Sequence, residues 1–374
     1  MRITSPQLPL LPMSVPSPTA CPQAVVPPSP TVAPRQPTPS KSLAEILSRA
    51  WSLGRVGAVL DRELTTAVDL LMQTHVKNGF FGHYCDGMRR VQGFGADGSM
   101  EVALVPMRTQ IPIARESSCQ CPLCSPPNDV EKGLAWRGYQ IWPNAFPYLP
   151  TDQQHILLTS AGHRGQAFST QLLNDVLDFQ AFTAGSRPLT MFYNGTAGNS
   201  QYHLHWQAVR ETVPLERLIA RGALCLTSHV KEADGELSSF DQGSYAGFMV
   251  SGNKRFVCAW ARTLVQHLKS DPLTQGAYNM GLLSQQNGNF RLVIVPRRAA
   301  CLKPNLGSLG PRGVGAFNML GTQVLPKDEI PADFSDALTH LRDTLVPPCE
   351  FAWLATLKAP AKLPMCEATQ RALV

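Results

Sequence analysis

Polar and bulky apolar residues alternate near the middle of this chain, and this alternation restricts the folds that the chain can adopt. The segment reads His203, Leu204, His205, Trp206 and Gln207. In a β-strand, residues two positions apart lie on the same face, so the histidines and the glutamine project together while Leu204 and Trp206 point into a core. The pattern predicts a strand over 204–209 whose polar face is the floor of a site. An amphipathic strand that carries two histidines without a function is the alternative.

Imidazole chemistry suits this face to phosphoryl transfer. A neutral histidine can attack a phosphorus atom and later leave it again, which divides one difficult transfer into two easier steps. Six small and polar residues at 195–200 come just before the motif. Such a segment can present backbone N–H groups and a hydroxyl to phosphate oxygens. The sequence therefore predicts a phosphate-binding loop that leads into the histidine strand.

A pair of cysteines with metal-ligand spacing lies upstream. Cys121 and Cys124 form a CxxC pair, the usual half of a tetrahedral zinc site, although redox and purely structural pairs share this spacing. The other half can come from His163, in a turn after a predicted strand, and from His203. Together these four residues would form a closed Cys2His2 site of the structural type, which would tie the loop to the histidine strand.

Other cysteines and histidines are weaker candidates. Cys119 is a substitute ligand beside the CxxC pair. His155 falls within a predicted strand at 155–159, and we interpret it as a packed or exposed side chain rather than a ligand. The remaining cysteines are scattered, which is typical of a reduced cytoplasmic protein and not of a disulfide framework.

The order of the predicted elements indicates an α+β fold. Alternating segments predict strands, and apolar residues at helical spacing predict helices. The main predicted strands lie at 88–93, 100–107, 139–142, 155–159, 191–194 and 204–209, and the main predicted helices at 42–51, 56–76, 168–181, 254–269 and 334–346. This order leaves antiparallel pairing available, so we expect an antiparallel sheet with flanking helices.

A faint internal repeat indicates a degenerate tandem duplication. The pair Tyr193-Asn194 precedes the histidine strand, and the pair Tyr278-Asn279 precedes a strong predicted strand at 290–295. We therefore expect a catalytic half at 42–215 and a degenerate second half at 216–374. Residues 1–41 are rich in proline and serine, and we expect this extension to be disordered.

Composition limits the class of partner. The chain has 33 basic and 27 acidic residues, a formal net charge of +6, and this mild excess suits small anionic ligands such as nucleotides. It contains no run of lysine and arginine of the kind that binds nucleic acid. No apolar run approaches the roughly 18–20 residues that cross a bilayer, and the first residues are too interrupted by proline for a secretory signal. We expect a cytoplasmic protein that binds neither nucleic acid nor membrane.

The motifs together resemble the histidine-triad superfamily, in the branch of galactose-1-phosphate uridylyltransferase and diadenosine tetraphosphate phosphorylase. The resemblance covers about a quarter of the chain, from the cysteine pair to about residue 209. In order, it includes the CxxC pair, an N-x-F-P segment at 144–147, the strand and turn that end at His163, the small and polar loop at 194–200, and the HxHxQ motif. It implies a histidine-triad-like antiparallel sheet with flanking helices.

The resemblance also implies a role for each matching residue. It makes His205 the nucleophile, Gln207 the partner of the transferred phosphoryl group, and His203 a ligand of a structural zinc ion. The other implied ligands are Cys121, Cys124 and His163, and the implied substrate-binding residues are Asn144 at the ribose, Phe146, Asn194, Gly198 and Ser200. Arg297 or Arg298 could add positive charge from the second half, with plain surface arginines as the alternative.

The implied activity is transfer of a nucleoside monophosphate group through a nucleotidyl-histidine to phosphate or a sugar phosphate. Leu204 stands where the family usually has proline, and the second half has no HxH motif. Both departures favour a phosphorylase-like relative over a uridylyltransferase. A nucleotidyl hydrolase, which usually has a third histidine in the place of Gln207, and a non-catalytic zinc-stabilised nucleotide-binding protein are the alternatives. Family sites often lie near subunit or repeat interfaces, so a homodimer is one expected assembly.

Overall fold

The computed structural model of the protein describes most of the chain beyond residue 56. The described residues are 45, 47, 57–79, 81, 85–94, 98–106, 121, 123–124, 133–149, 154–183, 189–195, 203–302, 315–325, 327, 329–332 and 334–357. They all belong to one compact unit, Lys41–Val374. The Pro-rich extension predicted at 1–41 lies outside the described residues.

A single large sheet organises the described part of the chain. Eleven strands form it, namely β1 (Gly57–Ala58), β4 (Leu134–Trp136), β5 (Tyr139–Pro143), β6 (Ile156–Ser160), β7 (Thr190–Tyr193), β8 (His205–Val209), β9 (Thr227–Glu232), β10 (Gly235–Gln242), β11 (Tyr245–Gly252), β12 (Tyr278–Gln286) and β13 (Asn289–Pro296). Their order is β1-β4-β5-β6-β8-β7-β12-β13-β11-β10-β9. All neighbours are antiparallel except β1 and β4, which are parallel.

The two sides of the sheet share one connectivity. Strands β4 to β8 lie in the order 4-5-6-8-7, with a helix between β6 and β7; strands β9 to β13 lie in the order 9-10-11-13-12, with a helix between β11 and β12. The sets meet where β7 pairs with β12. The antiparallel α+β fold predicted from the sequence is confirmed, whereas an origin by tandem duplication stays a prediction, as do the halves at 42–215 and 216–374.

Three helices cover one face of this sheet. They are α1 (Leu64–Lys77), α2 (Thr170–Thr183) and α4 (Lys254–Ser270). Asn253 caps the last of them, because its side chain accepts a hydrogen bond of 2.9 Å from the backbone N–H of Phe256. Leu204 and Trp206 point into the core beneath these helices, as the alternation in the sequence predicts.

Smaller elements cover the opposite face. A three-stranded sheet, β14-β3-β2, packs there with three short helices. These elements are β2 (Arg89–Phe94), β3 (Met100–Leu104), α3 (Pro214–Ala220), α5 (Ala316–Met319), β14 (Thr322–Leu325) and α6 (Phe334–Asp343). The polar face of the histidine strand therefore lies in the layer between the large sheet and this cover.

Most predicted elements are present with shifted ends, and two differences have a clear physical reason. The helix predicted at 56–76 begins only at Leu64, because Gly57 and Ala58 extend the large sheet beside β4. The strands β9 to β11 were not expected, since their serine- and glycine-containing sequence lacks clean alternation. The hairpin between β12 and β13 has a local signal, Asn287-Gly288, and both residues adopt the positive φ of a tight turn.

In the described part of the chain, every helix is too short or too polar to cross a bilayer.

Candidate functional site

The strand β8 presents the two central residues of the motif on one face. His205 and Gln207 lie in this strand and are only 5% exposed. Gln207 pairs with Leu157 of β6 on one side and with Phe192 of β7 on the other. The polar face predicted from alternation thus lies in the middle of a sheet, where hydrogen bonds with neighbouring strands fix its register.

The imidazole of His205 is held through its Nδ1 atom. This nitrogen lies 2.7 Å from the carbonyl oxygen of His203. A carbonyl oxygen can only accept, so Nδ1 carries the hydrogen and the Nε2 lone pair is left available. Within the described residues Nε2 makes no hydrogen bond. Burial lowers the pKa of His205 to about 4, so the ring is neutral at pH 7.

Gln166 also contacts His205, although no pattern in the sequence indicates this residue. Its Nε2 lies 2.8 Å from His205 Nδ1, and its Oε1 lies 3.4 Å from the backbone N of His205. The first contact would place two donors together if Nδ1 carries the hydrogen. Exchanging the amide oxygen and nitrogen of Gln166 removes this conflict, because Oε1 then faces Nδ1 of His205. The exchange sacrifices only the 3.4 Å contact with the backbone N of His205. Gln166 is then a second acceptor for the same N–H.

The amide oxygen of Gln207 contacts two other side chains of the protein. Oε1 lies 3.0 Å from Nε2 of His155 and accepts a hydrogen bond of 3.2 Å from the hydroxyl of Tyr148. The sequence left open whether His155 is packed or exposed, and the structure shows that it is packed, since the ring is 1% exposed. The sequence interpretation missed that His155 contacts the site, because the contact depends on sheet order.

Asn144 and Phe146 lie beside this group. The amide oxygen of Asn144 accepts a hydrogen bond of 3.0 Å from the backbone N of Phe146, which fixes the orientation of the amide. Its Nδ2 lies 3.0 Å from Nε2 and 3.5 Å from Nδ1 of His155. A contact in the plane of the ring would place Nδ2 either much farther from the second nitrogen or in collision with the carbon between the two nitrogens. Nδ2 therefore lies over the face of the ring and does not point along the lone-pair axis of either nitrogen. Phe146 is 37% exposed.

A buried chain of hydrogen bonds runs from the end of β13, through β12, to the start of the predicted phosphate loop. Nη1 of Arg297 donates to Oδ1 of Asn279 at 2.7 Å, and Nδ2 of Asn279 donates to the carbonyl oxygen of Asn194 at 2.7 Å. The side chain of Asn194 accepts a hydrogen bond of 2.7 Å from the backbone N of Ala316 in α5. Arg297 is fully buried, which excludes the surface alternative for it. Arg298 is exposed and paired with Glu350.

The predicted metal ligands converge. One ligand atom each from Cys121, Cys124, His163 and His203 lies within 4.8 Å of all the others. Sγ of Cys124 is 3.1 Å from Nδ1 of His163, and both sulfur atoms are 3.4 Å from Nδ1 of His203. These spacings fit ligands at about 2.0–2.3 Å around one tetrahedral cation. The four residues therefore form a candidate metal-binding group.

The surroundings of this group also fit a cation. Nε2 of His203 donates to the carbonyl oxygen of Ser160 at 2.9 Å, which leaves Nδ1 directed at the sulfurs. Histidine ligands commonly donate their second N–H in this way. Without a cation, burial and the neighbouring Cys121 thiol raise the pKa of Cys124 to about 11. Cys121 and Cys124 are both free thiols in the structure. No disulfide bond therefore competes for their sulfur atoms.

Three residues named from the sequence lie outside the described residues. They are Gly198 and Ser200 of the predicted phosphate loop and the substitute ligand Cys119. Their contributions stay predictions.

The fold is similar to that of a known phosphorylase. No family model matches the chain, and no curated protein does. Among solved structures, yeast Ap4A phosphorylase Apa2 in complex with Ap4A matches 75% of this chain and 95% of its own, with 14% identity and a TM-score of 0.53. The structure of Apa2 determined without this complex gives 15% identity, the same coverage and the same TM-score. The resemblance seen in the motifs therefore extends to the fold.

Proposed function

From the premise of that shared fold, we propose that the chain is a nucleotidyltransferase or nucleotide phosphorylase that forms a nucleotidyl-His205 intermediate. The observation that carries the proposal is the environment of His205. Its ring is buried and neutral, and the hydrogen on Nδ1 is held by the carbonyl oxygen of His203 at 2.7 Å. A nucleophilic imidazole needs this arrangement, because Nε2 then carries the free electron pair.

The proposed first step forms one bond and breaks another at phosphorus. Nε2 of His205 attacks the α-phosphorus of a nucleotide donor, and the P–O bond to the leaving phosphate group breaks with its electron pair. The ring becomes positively charged when the N–P bond forms. The carbonyl oxygen of His203 stabilises this charge through the Nδ1 hydrogen. Gln207, on the same face, donates to a phosphoryl oxygen as negative charge spreads over these oxygens.

The second step returns the histidine to its starting state. An oxygen of inorganic phosphate or of a sugar phosphate attacks the phosphorus, and the N–P bond breaks with its electrons on Nε2. With phosphate as the acceptor, the product is a nucleoside diphosphate. Glutamine at position 207 favours an acceptor other than water, as the family resemblance implies. Three residues near the polar face of β8 are proposed to contact the nucleotide, namely Asn144, Phe146 and Asn194.

A zinc ion is proposed for the group of Cys121, Cys124, His163 and His203. A closed set of two thiolates and two imidazoles is typical of structural zinc, which orders chain segments. His203 links the two parts of the site, since its ring belongs to the metal group and its carbonyl oxygen binds His205. The carbonyl oxygen of His203 would orient the nucleophile His205, and an ion bound to the ring of His203 would fix the position of that residue.

The test is covalent labelling without acceptor. Purified protein is incubated with ATP, Ap4A, GDP-sugars or UDP-sugars that carry ³²P on the α-phosphate, and acid-labile, base-stable label on the chain is measured. A His205→Ala variant is run beside the wild type, with His229→Ala, a half-buried histidine of β9, as the matched control. We expect label on the wild type and control with one donor class, and a loss of at least a thousandfold in His205→Ala.

Acceptor addition separates the proposal from its alternatives. Loss of label with release of a phosphorylated product on addition of phosphate or sugar phosphate supports a transferase or phosphorylase. Rapid loss of label to water alone would indicate a hydrolase. Nucleotide binding without label on a folded, metal-loaded chain would refute the covalent mechanism and indicate a binding protein.

A further inference from the structure

We infer that His155 is a positioning residue that fixes the amide of Gln207, so that Gln207 presents only N–H donors to the phosphoryl group. The inference deepens the proposed function and rests on it. His155 has no counterpart among the motif residues identified from the sequence. It comes just before β6, the strand that pairs with the histidine strand.

A backbone N–H beside His155 can act only as a donor. The backbone N–H of Tyr148 lies 3.3 Å from Nδ1 of His155. An N–H can only donate, so Nδ1 must be the acceptor nitrogen of the neutral ring. The hydrogen of the imidazole is therefore on Nε2.

This tautomer determines the orientation of Gln207. Nε2 of His155, now a donor, lies 3.0 Å from the Gln207 side chain and requires an oxygen there. The hydroxyl of Tyr148 donates to the same oxygen at 3.2 Å. With Oε1 held by two donors, the NH2 group of Gln207 must point away from His155 and Tyr148. Among the residues that the structure describes, this NH2 group makes no hydrogen bond.

The orientation matters because the side-chain amide carries an acceptor oxygen and a donor NH2 group on opposite sides. If the amide turned over, its oxygen would face the phosphoryl oxygens and repel their negative charge. His155 and Tyr148 thus hold the amide of Gln207 in the one orientation in which its NH2 group can donate to the phosphoryl group. Burial strengthens the effect, since His155 is 1% and Gln207 is 5% exposed and water has little access to either.

The experiment measures the single-turnover rate of label formation with α-³²P-labelled ATP and Ap4A. His155→Leu removes the donor, and His155→Gln returns an N–H donor at a similar reach. We expect His155→Leu to lower the maximal rate by up to about 100-fold, as a small misplacement of a group at the reacting centre does. The half-saturating donor concentration should change little, and His155→Gln should recover most of the loss. His229→Leu is the control for loss of a half-buried histidine elsewhere.

A double-variant cycle tests whether His155 acts through Gln207. Gln207→Ala should lower the rate about 100- to 1000-fold, as loss of one transition-state donor does. Adding His155→Leu to Gln207→Ala should then cause no further loss. A wild-type rate in His155→Leu, or an equal fold-loss in both backgrounds, would overturn the inference.

A second readout decides the inference if the wild type takes no label. The nitrogen-bound hydrogen of His155 is located by ¹⁵N NMR on the full chain with labelled histidine, assigned by comparison with His155→Gln. A hydrogen on Nε2 supports the inference even where the absence of label refutes the proposed function. A hydrogen on Nδ1 overturns it, because Gln207 would then be free to turn over.

Discussion

Replacing Cys124 by alanine should remove the metal and lower the thermal stability of the chain. Its sulfur lies 3.1 Å from Nδ1 of His163 and 3.4 Å from Nδ1 of His203, so it contacts both histidines of the group. Its loss leaves three ligands where structural sites hold four. The four residues come from three segments far apart in the sequence, so an ion held by them would bind only the folded chain and would stabilise it.

The magnitude follows from the linkage between binding and folding. A ligand that binds only the folded state adds about 2.7 kcal/mol at 100 times its Kd and about 4.1 kcal/mol at 1000 times its Kd. In a large domain, 1 kcal/mol corresponds to about 2 °C in melting temperature. We therefore expect Cys124→Ala to melt about 5–8 °C below the zinc-loaded wild type.

The assay compares thermal unfolding with and without a chelator, together with metal content. Cys225→Ala, which removes an exposed free thiol outside the group, is the matched control. Chelation should lower the melting temperature of the wild type and of Cys225→Ala by the same amount and leave Cys124→Ala unchanged. A wild type whose melting temperature does not respond to the chelator, or a Cys124→Ala variant that retains one equivalent of zinc, would refute the reasoning.

Two further predictions concern the frame of the site. Glu216→Ala should lower the free energy of unfolding by about 3–5 kcal/mol, because it leaves Arg291 buried without the carboxylate that it binds at 2.6 Å. Glu216→Gln keeps an acceptor and should cost less, whereas a cost of less than about 1 kcal/mol for Glu216→Ala in urea denaturation, as for an exposed pair, would contradict a buried charge pair. Gly195→Ala should slow label formation and destabilise the chain by more than 1 kcal/mol, because its φ is +58° and a Cβ would collide with the carbonyl oxygen of Tyr278. Gly222→Ala, with φ +63° and open space around it, separates the two causes, and equal losses in the two variants would show that the backbone angle alone matters.

The motif residues and the amphipathic elements could be predicted from the sequence. The helix expected at 254–269 is present as Lys254–Ser270, since a strong helical period coincides with an N-cap asparagine. The strand with His205 and Gln207 is present with the expected faces. The metal group also converges as the CxxC pair and the two histidines predicted.

Contacts that depend on strand order could not be predicted in the same way. Arg297 was a candidate on the surface or at the substrate, and it is fully buried against Asn279. Gln166 gave no signal, because a lone glutamine in a loop has no pattern. The hairpin of β10 and β11 was missed, since its burial comes from sheet neighbours and not from its own alternation.

The amino-acid sequence alone established which residues share a face, because the side-chain period of a strand is two whatever strands lie beside it. It also determined which residue types could attack phosphorus or bind a metal. The orientation of those groups is set in the folded chain and not by the local sequence. The hydrogen on His205 depends on the carbonyl oxygen of His203 in a folded turn, and the amide of Gln207 depends on His155, 52 residues earlier in the chain. Hydrogen bonds act over about 3 Å, so they are fixed only when the register of the sheet brings distant segments together.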